Sequence, residues 1–199
     1  MRYPEVANFA LLNLLGSHDT ARVITAFQEG LAGQPGHSGT YAEAVMHLRP
    51  ALILQFTYPG IPLIYYGDEV GLIGRPDPEC RRTMPWEPRE WEQDLLAFYR
   101  RLIALRHRLL PLRRGFFQPL FVDDKAEVCV YARRLGGDRV IVVLNASDFP
   151  QTVTLAAEEL ELAEGEAWED GLSNRAFEVR NGQIVVSLEA NYGAVLYRS

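Results

Sequence analysis

The pattern of apolar residues changes between Arg113 and Phe116, and this change constrains the fold more than any other feature of the sequence. Before it, short apolar runs alternate with longer segments of helical period, as in a parallel sheet covered by helices. After it, short strand-like runs are separated by tight-turn residues, as in an antiparallel sheet. The sequence therefore predicts two domains, an α/β domain over residues 1–112 and an all-β domain over residues 113–199.

Two short apolar runs in the first domain predict β-strands. Residues 10–15 are apolar apart from Asn13 and end at Gly16, and residues 61–66 form the second run after a Tyr-Pro-Gly turn. Continuous apolar runs of this length are typical of strands that are covered on both faces in a parallel sheet. We expect both strands to be buried.

The longer segments of the first domain have helical period. Apolar residues recur at helical spacing over residues 40–57, with Thr40 at the N-cap position and Glu43 three residues on, as in a capping box. Pro50 is expected to kink this helix or to end its first half. A second helix carries an apolar stripe over residues 95–109, with acids in its first turns and arginines near its end, as the helix dipole favours.

The second domain has the turn signals of an antiparallel β sandwich. Gly136-Gly137-Asp138 and Asn181-Gly182 each predict a tight hairpin turn between two strands. The expected strands cover residues 128–131, 139–144, 177–180, 183–188 and 194–197.

Charge and composition exclude several classes of partner. A net charge of -6 disfavours a nucleic-acid partner, because phosphate binding needs a surplus of Lys and Arg on one face. Two cysteines, Cys80 and Cys129, make neither a disulfide framework nor a metal cluster. No apolar stretch approaches the roughly 20 residues of a membrane span, and residues 1–19 make a poor signal peptide. We expect no membrane partner and a cytoplasmic protein, unless a region further upstream carries a signal.

Ionisable residues follow both predicted strands. In parallel α/β barrels, catalytic groups lie just beyond the carboxyl ends of the strands, which selects Ser17-His18-Asp19-Thr20 and Gly67-Asp68-Glu69. Cleavage of a glycosidic bond needs two carboxyl groups about 5 to 10 Å apart, and Asp19 with Asp68 or Glu69 could supply them. The alternative is that Asp19 or Asp68 only caps a turn, and spacing alone does not decide between the two.

Four segments of the first domain have counterparts, in the same order, in one enzyme family. NLLGSHDT at residues 13–20 resembles the segment that ends the seventh barrel strand of α-amylase-superfamily glycoside hydrolases. GIPLIYYGDEVGL at residues 60–72 resembles the eighth strand and its exit loop. DPECRRTMPW at residues 77–86 is similar to the following loop of the cyclomaltodextrinase, neopullulanase and maltogenic amylase type. LLAFYRRLIALR at residues 95–106 looks like the last barrel helix.

The resemblance implies an α/β plus all-β fold. Residues 1–112 would be the last two βα units of a (β/α)8 TIM barrel, and residues 113–199 a C-terminal antiparallel β-sandwich domain. His18 and Asp19 match the family's sugar-binding histidine and its third catalytic carboxylate, which hold hydroxyls of the distorted sugar. Such hydrogen bonds lower the barrier when they strengthen as oxocarbenium character grows. By the resemblance, Asp19 stabilises the transition state and is neither nucleophile nor proton donor.

The exit loop offers further binding residues. Asp77 and Arg81 match positions that contact donor-side sugars, and a carboxylate or a guanidinium can bind two adjacent hydroxyls. Alternatively, the two pair at i and i+4 and only brace the loop. Asp68 and Glu69 are expected to be structural.

For several aromatic and histidine side chains, a structural or surface position is an alternative to a role in sugar binding. Tyr65, Tyr66 and Trp86 could stack on sugar faces, although at least one of the two tyrosines must face the helices because side chains alternate along a strand. His37 and His47 are expected to face solvent.

The resemblance implies a retaining hydrolase or transglycosylase that acts on α-1,4-glucans or cyclodextrins. The family's nucleophilic aspartate and acid-base glutamate belong to motifs upstream of residue 13, so we expect this chain to be the C-terminal part of such an enzyme and to be inactive alone. A truncated barrel is also expected to form a homo-oligomer or to associate with the missing barrel segment. The alternative function is a non-catalytic carbohydrate-binding or interaction subunit with an amylase-like barrel.

The implied chemistry requires no cofactor, because two carboxyl groups suffice for glycoside cleavage. Calcium is compatible with the family, but the sequence has no oxygen-rich run of ligands that would predict it. We therefore predict neither a cofactor nor a metal.

Overall fold

The first part of the chain contains α-helices and two short strands. The computed structural model describes residues 5–198, and the chain divides into two compact units, Met1–Ala104 and Leu105–Ser199. The domain boundary between residues 112 and 113 stays a prediction of the sequence. The elements up to the end of the long helix are α1 (Glu5–Asn8), β1 (Leu12–Leu14), α2 (Val23–Ala32), α3 (Tyr41–Thr57), β2 (Ile61–Leu63) and α4 (Gln93–Arg108).

A parallel strand pair carries the loops of interest. β1 and β2 run parallel, with Leu12 opposite Ile61. Gln55 on α3 donates its side-chain amide to the carbonyl oxygen of Asn13 at 3.0 Å and to that of Leu63 at 2.9 Å. One helix therefore fixes both strands, and with them the start of each loop that follows.

The two strands are shorter and more exposed than the sequence predicts. Each has three residues, and Leu12, Leu14 and Ile61 are 54%, 51% and 50% exposed. The expectation that both strands are buried is therefore wrong for this chain. In the described part of the chain each strand has one neighbour in its sheet, so its other edge and much of its apolar surface remain accessible.

The N-terminus of α3 has the predicted capping box. Thr40 Oγ1 accepts a hydrogen bond from the Glu43 backbone N–H, and the Glu43 carboxylate accepts one from the Thr40 backbone N–H. These bonds satisfy two donors that the first turn of a helix otherwise leaves open. The helix runs through Pro50 to Thr57, so the proline does not end its first half.

The sequence does not predict α2. Its first residues, Val23, Ile24 and Thr25, are β-branched, which lowers helix propensity, and Arg22 before them makes no side-chain cap. The helix forms because Val23 and Ile24 are buried, and tertiary packing outweighs local propensity.

The long helix α4 matches its prediction. Asp94 lies in its first turn, Arg106 and Arg108 lie in its last turn, and Leu95 and Leu102 are buried. None of the helices in the described range 5–198 is long and apolar enough to cross a membrane.

The second unit contains an antiparallel β domain, as predicted. A short helix, α5 (Leu110–Arg114), precedes β3 (Phe116–Asp123), β4 (Val128–Leu135), β5 (Asp138–Asn145), β6 (Gln151–Ala156), β7 (Ala167–Asp170), β8 (Ala176–Glu178), β9 (Gln183–Leu188) and β10 (Tyr192–Tyr197). Six strands form one sheet in the order β3-β4-β5-β10-β7-β8, and β6 pairs with β9 in a second sheet. β10 includes the predicted last strand and lies between β5 and β7.

Apolar side chains from both sheets share one core. Val130 and Ile141 come from the larger sheet, Val153 and Ile184 come from the smaller one, and Trp168 is 2% exposed among them. Burial of this kind contributes roughly 25 cal/mol for each Å² of apolar surface removed from water. The core therefore holds the two sheets together.

Both predicted tight turns are present, but only the first joins two strands that pair along their length. Gly136-Gly137 joins β4 to β5, which pair along their length. At Asn181-Gly182 both residues have left-handed φ, +52° and +71°, and Arg180 and Gln183 exchange backbone bonds of 2.8 and 3.1 Å. Beyond that bridge β8 pairs with β7 while β9 pairs with β6. The turn therefore carries the chain from one sheet to the other.

Candidate functional site

The candidate site is built from the loops that follow β1 and β2. Because parallel strands point the same way, the residues after each strand emerge at the same edge of the pair. The Arg22 backbone N–H donates to the carbonyl oxygen of Gly74 at 2.8 Å, which joins the first loop to the second. Residues far apart in sequence are thereby placed side by side.

His18 and Asp19 form an exposed pair at the tip of the first loop. His18 Nε2 lies 3.1 Å from Asp19 Oδ1, and the two side chains are 63% and 69% exposed. The Asp19 backbone N–H donates to Ser17 Oγ at 3.2 Å, which fixes the turn. Both side chains are oriented by their neighbours and are open to a ligand.

Arg81 connects the first loop to the second. Its Nη2 lies 3.6 Å from Asp19 Oδ1, and its Nε lies 3.2 Å from Asp77 Oδ1. The same Nε donates to the His18 carbonyl oxygen at 3.1 Å, and the buried Cys80 thiol donates to that oxygen at 3.3 Å. The structure thus brings His18, Asp19, Asp77 and Arg81 together.

This arrangement suits a ligand with several adjacent hydroxyl groups. Two carboxylates supply acceptors, and a guanidinium and an imidazole supply donors. Asp77 and Arg81 also pair with each other at i and i+4. The structure is therefore equally compatible with the alternative in which the two residues only brace the loop. Exposed ion pairs stabilise a fold by at most about 1 kcal/mol, so this pair contributes little to stability.

Below the exposed group lies Arg22, which sequence reasoning did not identify. Its side chain is fully buried, and its Nη1 lies 3.2 Å from Asp68 Oδ1. The guanidinium carbon lies 4.1 Å from the Tyr65 ring centroid and 4.5 Å from that of Tyr66, and Nη1 also donates to the Tyr66 carbonyl oxygen. Nε and Nη2 have no hydrogen-bond acceptor among residues 5–198, and the faces of the two rings lie against the guanidinium instead.

Asp68 is the buried partner of Arg22. Burial raises the pKa of its carboxyl group to about 6, while the hydrogen bond and the charge of Arg22 act in the opposite direction. A Cβ atom at Gly16 would collide with the Asp68 carboxylate, so a side chain at this position would force that carboxylate to move. Asp68 therefore packs under the first loop and not among the exposed groups, in agreement with a structural role.

The aromatic residues divide between support and surface. Tyr65 and Tyr66 contact each other edge to face, with ring centroids 4.7 Å apart, and the Tyr66 hydroxyl donates to the Arg82 carbonyl oxygen at 2.8 Å. Trp86 is 78% exposed. Stacking of these rings on a sugar stays a prediction.

Two families of known domains match this chain. Residues 5–102 match the family described as alpha amylase, catalytic domain. Residues 117–196 match the family described as maltogenic amylase, C-terminal domain. The two matches follow each other along the chain and correspond to the α/β region and to the antiparallel β domain.

Individual relatives agree with the family matches. Neopullulanase 2 of Thermoactinomyces vulgaris is 39% identical over 197 residues, which is 99% of this chain and 31% of that protein. A cyclomaltodextrinase of Geobacillus thermopakistaniensis is 35% identical over 195 residues, which is 98% of this chain and 30% of that protein. The chain thus spans about a third of the length of these curated relatives.

A solved structure shares the fold. The crystal structure of an Anoxybacillus α-amylase superimposes with a TM-score of 0.78 at 26% identity, over 96% of this chain and 39% of that one. Sequence families, relatives and fold agree with the resemblance of the four segments described above. The chain belongs to the α-amylase family of glycoside hydrolases, and it carries part of the catalytic domain together with a C-terminal domain of the maltogenic amylase type.

Proposed function

We propose that these residues are the last two βα units and the following β-sandwich domain of a retaining hydrolase or transglycosylase for α-1,4-glucans or cyclodextrins. The observation that carries the proposal is the meeting of His18, Asp19, Asp77 and Arg81 beyond the carboxyl ends of two parallel strands. Barrel enzymes place their catalytic groups at this end of the strands. The names of the relatives, neopullulanase and cyclomaltodextrinase, support the substrate class.

In this proposal His18 and Asp19 bind hydroxyl groups of the sugar at the cleavage site. Hydrogen bonds to such hydroxyls lower the barrier when they are stronger in the oxocarbenium-like transition state than in the ground state. Arg81 holds Asp19 in place and binds a neighbouring sugar together with Asp77. The first pair therefore acts on the rate, and the second pair acts on substrate affinity.

A retaining mechanism also needs a nucleophile and a proton donor about 5 Å apart on either side of the bond. Asp19 and Asp77 both contact Arg81. A contact of this kind is more suitable for a carboxylate that binds hydroxyl groups than for a carboxylate that must attack carbon. We propose that the nucleophile and the acid-base residue lie outside these 199 residues. The 199-residue chain alone is then inactive.

The test compares two forms of the protein. The 199-residue chain is incubated with cyclodextrin and maltotriose, and no glucose release above a buffer control is expected. In the longest form that the gene encodes, Asp19→Asn is expected to lower kcat about 10²–10³-fold, since one transition-state contact is weakened. Asp77→Asn is expected to raise KM with a smaller effect on kcat, and Arg82→Gln, an exposed neighbour, serves as the matched control.

The outcomes separate the alternatives. If the 199-residue chain releases glucose and Asp19→Asn abolishes that release, the proposal that the nucleophile and the acid-base residue lie outside these residues is contradicted. A longest form that binds cyclodextrin without cleaving it would favour a non-catalytic carbohydrate-binding subunit. Unchanged kcat in Asp19→Asn would exclude the proposed role of Asp19.

A further inference from the structure

Three side chains with metal-ligand chemistry meet where the loop of residues 33–40 reaches α3. His37 lies in the loop, and Glu43 and His47 lie one turn apart on the helix. The side chains of His37 and Glu43 are 14% and 17% exposed, and His47 is half-buried. The expectation that His37 faces solvent is therefore wrong, while His47 has an intermediate exposure.

The three side chains are close enough to share one ion. His37 Nδ1 lies 2.7 Å from Glu43 Oε1, and the rings of His37 and His47 lie edge to face with centroids 5.2 Å apart. One ligand atom from each of the three residues lies within 4.8 Å of the others. Ligand atoms bonded to zinc at 2.0–2.2 Å are about 3–3.5 Å apart, so small side-chain rotations suffice to place all three on one ion.

The carboxylate is held in position by the backbone before any ion binds. Glu43 Oε2 accepts hydrogen bonds from the backbone N–H groups of Ser38 at 3.1 Å and Gly39 at 2.9 Å, and from Ser38 Oγ at 3.2 Å. Oε1 remains directed at His37. Carboxylates that bind metals are commonly oriented by hydrogen bonds of this kind.

The donor set determines which ion fits. Two imidazole nitrogens and one carboxylate oxygen suit Zn²⁺ and its transition-metal neighbours, and this is the ligand set of several zinc sites that keep an open position. Calcium and magnesium prefer oxygen ligands. We propose that His37, Glu43 and His47 form a transition-metal site of the zinc type, with water in the remaining positions.

This site would fasten the loop of residues 33–40 to α3. Because α3 also fixes β1 and β2 through Gln55, an ion here stabilises the unit that carries the candidate sugar site without touching it. The simpler alternative is that the pair of His37 and Glu43 only reinforces the capping box. In that alternative His47 has no part in binding an ion.

The experiment is a calorimetric titration of the 199-residue chain with Zn²⁺. We expect one ion per chain, and at least about a tenfold loss of affinity in His47→Gln and in Glu43→Gln. The matched control is His107→Gln, because His107 is exposed at the end of α4, and its affinity should equal that of the wild type. Ca²⁺ and Mg²⁺ should give no comparable heat.

A second measurement requires no variant. Titration of the wild-type chain with Zn²⁺ should shift the imidazole NMR signals of His37 and His47 and leave those of His107 unchanged. If Glu43→Gln fails to fold by circular dichroism, His47→Gln and this measurement carry the test. Absence of Zn²⁺ binding, unchanged affinity in His47→Gln, or shifts confined to other histidines would overturn the proposal.

Discussion

Arg22 lies between the two loops that carry the candidate site, and its charge is compensated by one carboxylate and two aromatic faces. Asp68 supplies the carboxylate, and Tyr65 and Tyr66 supply the rings. A buried charge that loses its partner is strongly destabilising, whereas the intact pair adds little net stability. The role of Arg22 is therefore to fix the relative position of the loops.

We expect Arg22→Met to lower the free energy of unfolding by about 3–5 kcal/mol, because Asp68 would be left buried without its counter-charge. Urea denaturation at neutral pH, followed by tryptophan fluorescence, measures this loss. Arg82→Met removes an exposed arginine from the neighbouring loop and should change the free energy by no more than about 0.5 kcal/mol. Equal losses in the two variants would show that the buried pair has no special role.

Asp68 gives a prediction for pH. Its pKa of about 6 lies above the ordinary value of 3.8, because burial disfavours the charged form. The folded state then binds the proton more tightly than the unfolded state, so this contribution to stability is full below pH 3.8 and is lost as the pH rises through about 6. NMR titration of the Asp68 carboxyl carbon should give a midpoint near 6, and Asp68→Asn should remove this part of the pH dependence. A midpoint at the ordinary value would contradict the expected effect of burial.

The sequence identified the exposed residues of the candidate site better than the buried ones. His18, Asp19, Asp77 and Arg81 belong to segments that resemble a known family, so their positions could be transferred without knowing the fold. Arg22 pairs with a residue 46 positions away, and no local pattern indicates such a pair. The cluster around His37 lies within a short stretch of the chain, and it was missed because the geometry of the loop before α3 decides which side chains His37 meets.

At the scale of secondary structure, the sequence predicted correctly those elements whose ends are fixed by residues next to them in the chain. The capping box of Thr40 and Glu43 gave the start of α3, and Gly136-Gly137 gave the turn between β4 and β5. α2 was missed because burial of Val23 and Ile24 stabilises it. The predicted pairing of β8 with β9 was wrong. The Asn181-Gly182 turn fixes only the residues beside it, whereas the sheet that each strand joins depends on partners that are distant in the sequence.

β1 and β2 lead to a prediction about association. Leu12, Leu14 and Ile61 are about half exposed, and open strand edges favour pairing with another chain. We expect light scattering across a micromolar dilution series to give a mass above that of one chain, and Leu12→Ser with Ile61→Ser to lower it. Val185→Ser, at an exposed position of β9, should leave the mass unchanged. A monomer at every concentration would contradict this expectation.

At the scale of the whole molecule, the division into two compact units predicts independent folding. We expect a segment of residues 105–199 to unfold cooperatively when expressed alone, because its sheets share a core that comes entirely from within the segment. Trp168 is its only tryptophan, so fluorescence reports directly on that core. Emission at a wavelength typical of a solvated indole before any denaturant is added would show that the segment does not fold alone. Val153→Asp, which places a charge in the same core, provides an unfolded reference.

The position of β10 has a consequence for synthesis on the ribosome. β5 and β7 are translated before β10, yet each needs β10 as a neighbour to complete the larger sheet. Until residues 192–197 emerge, β5 and β7 each display an open edge, in addition to the outer edges of the sheet, and such edges invite pairing with other nascent chains. A ribosome that stalls shortly before this strand would therefore hold a nearly complete domain with both of these edges exposed, and chaperones that bind exposed strands are expected to act at that stage.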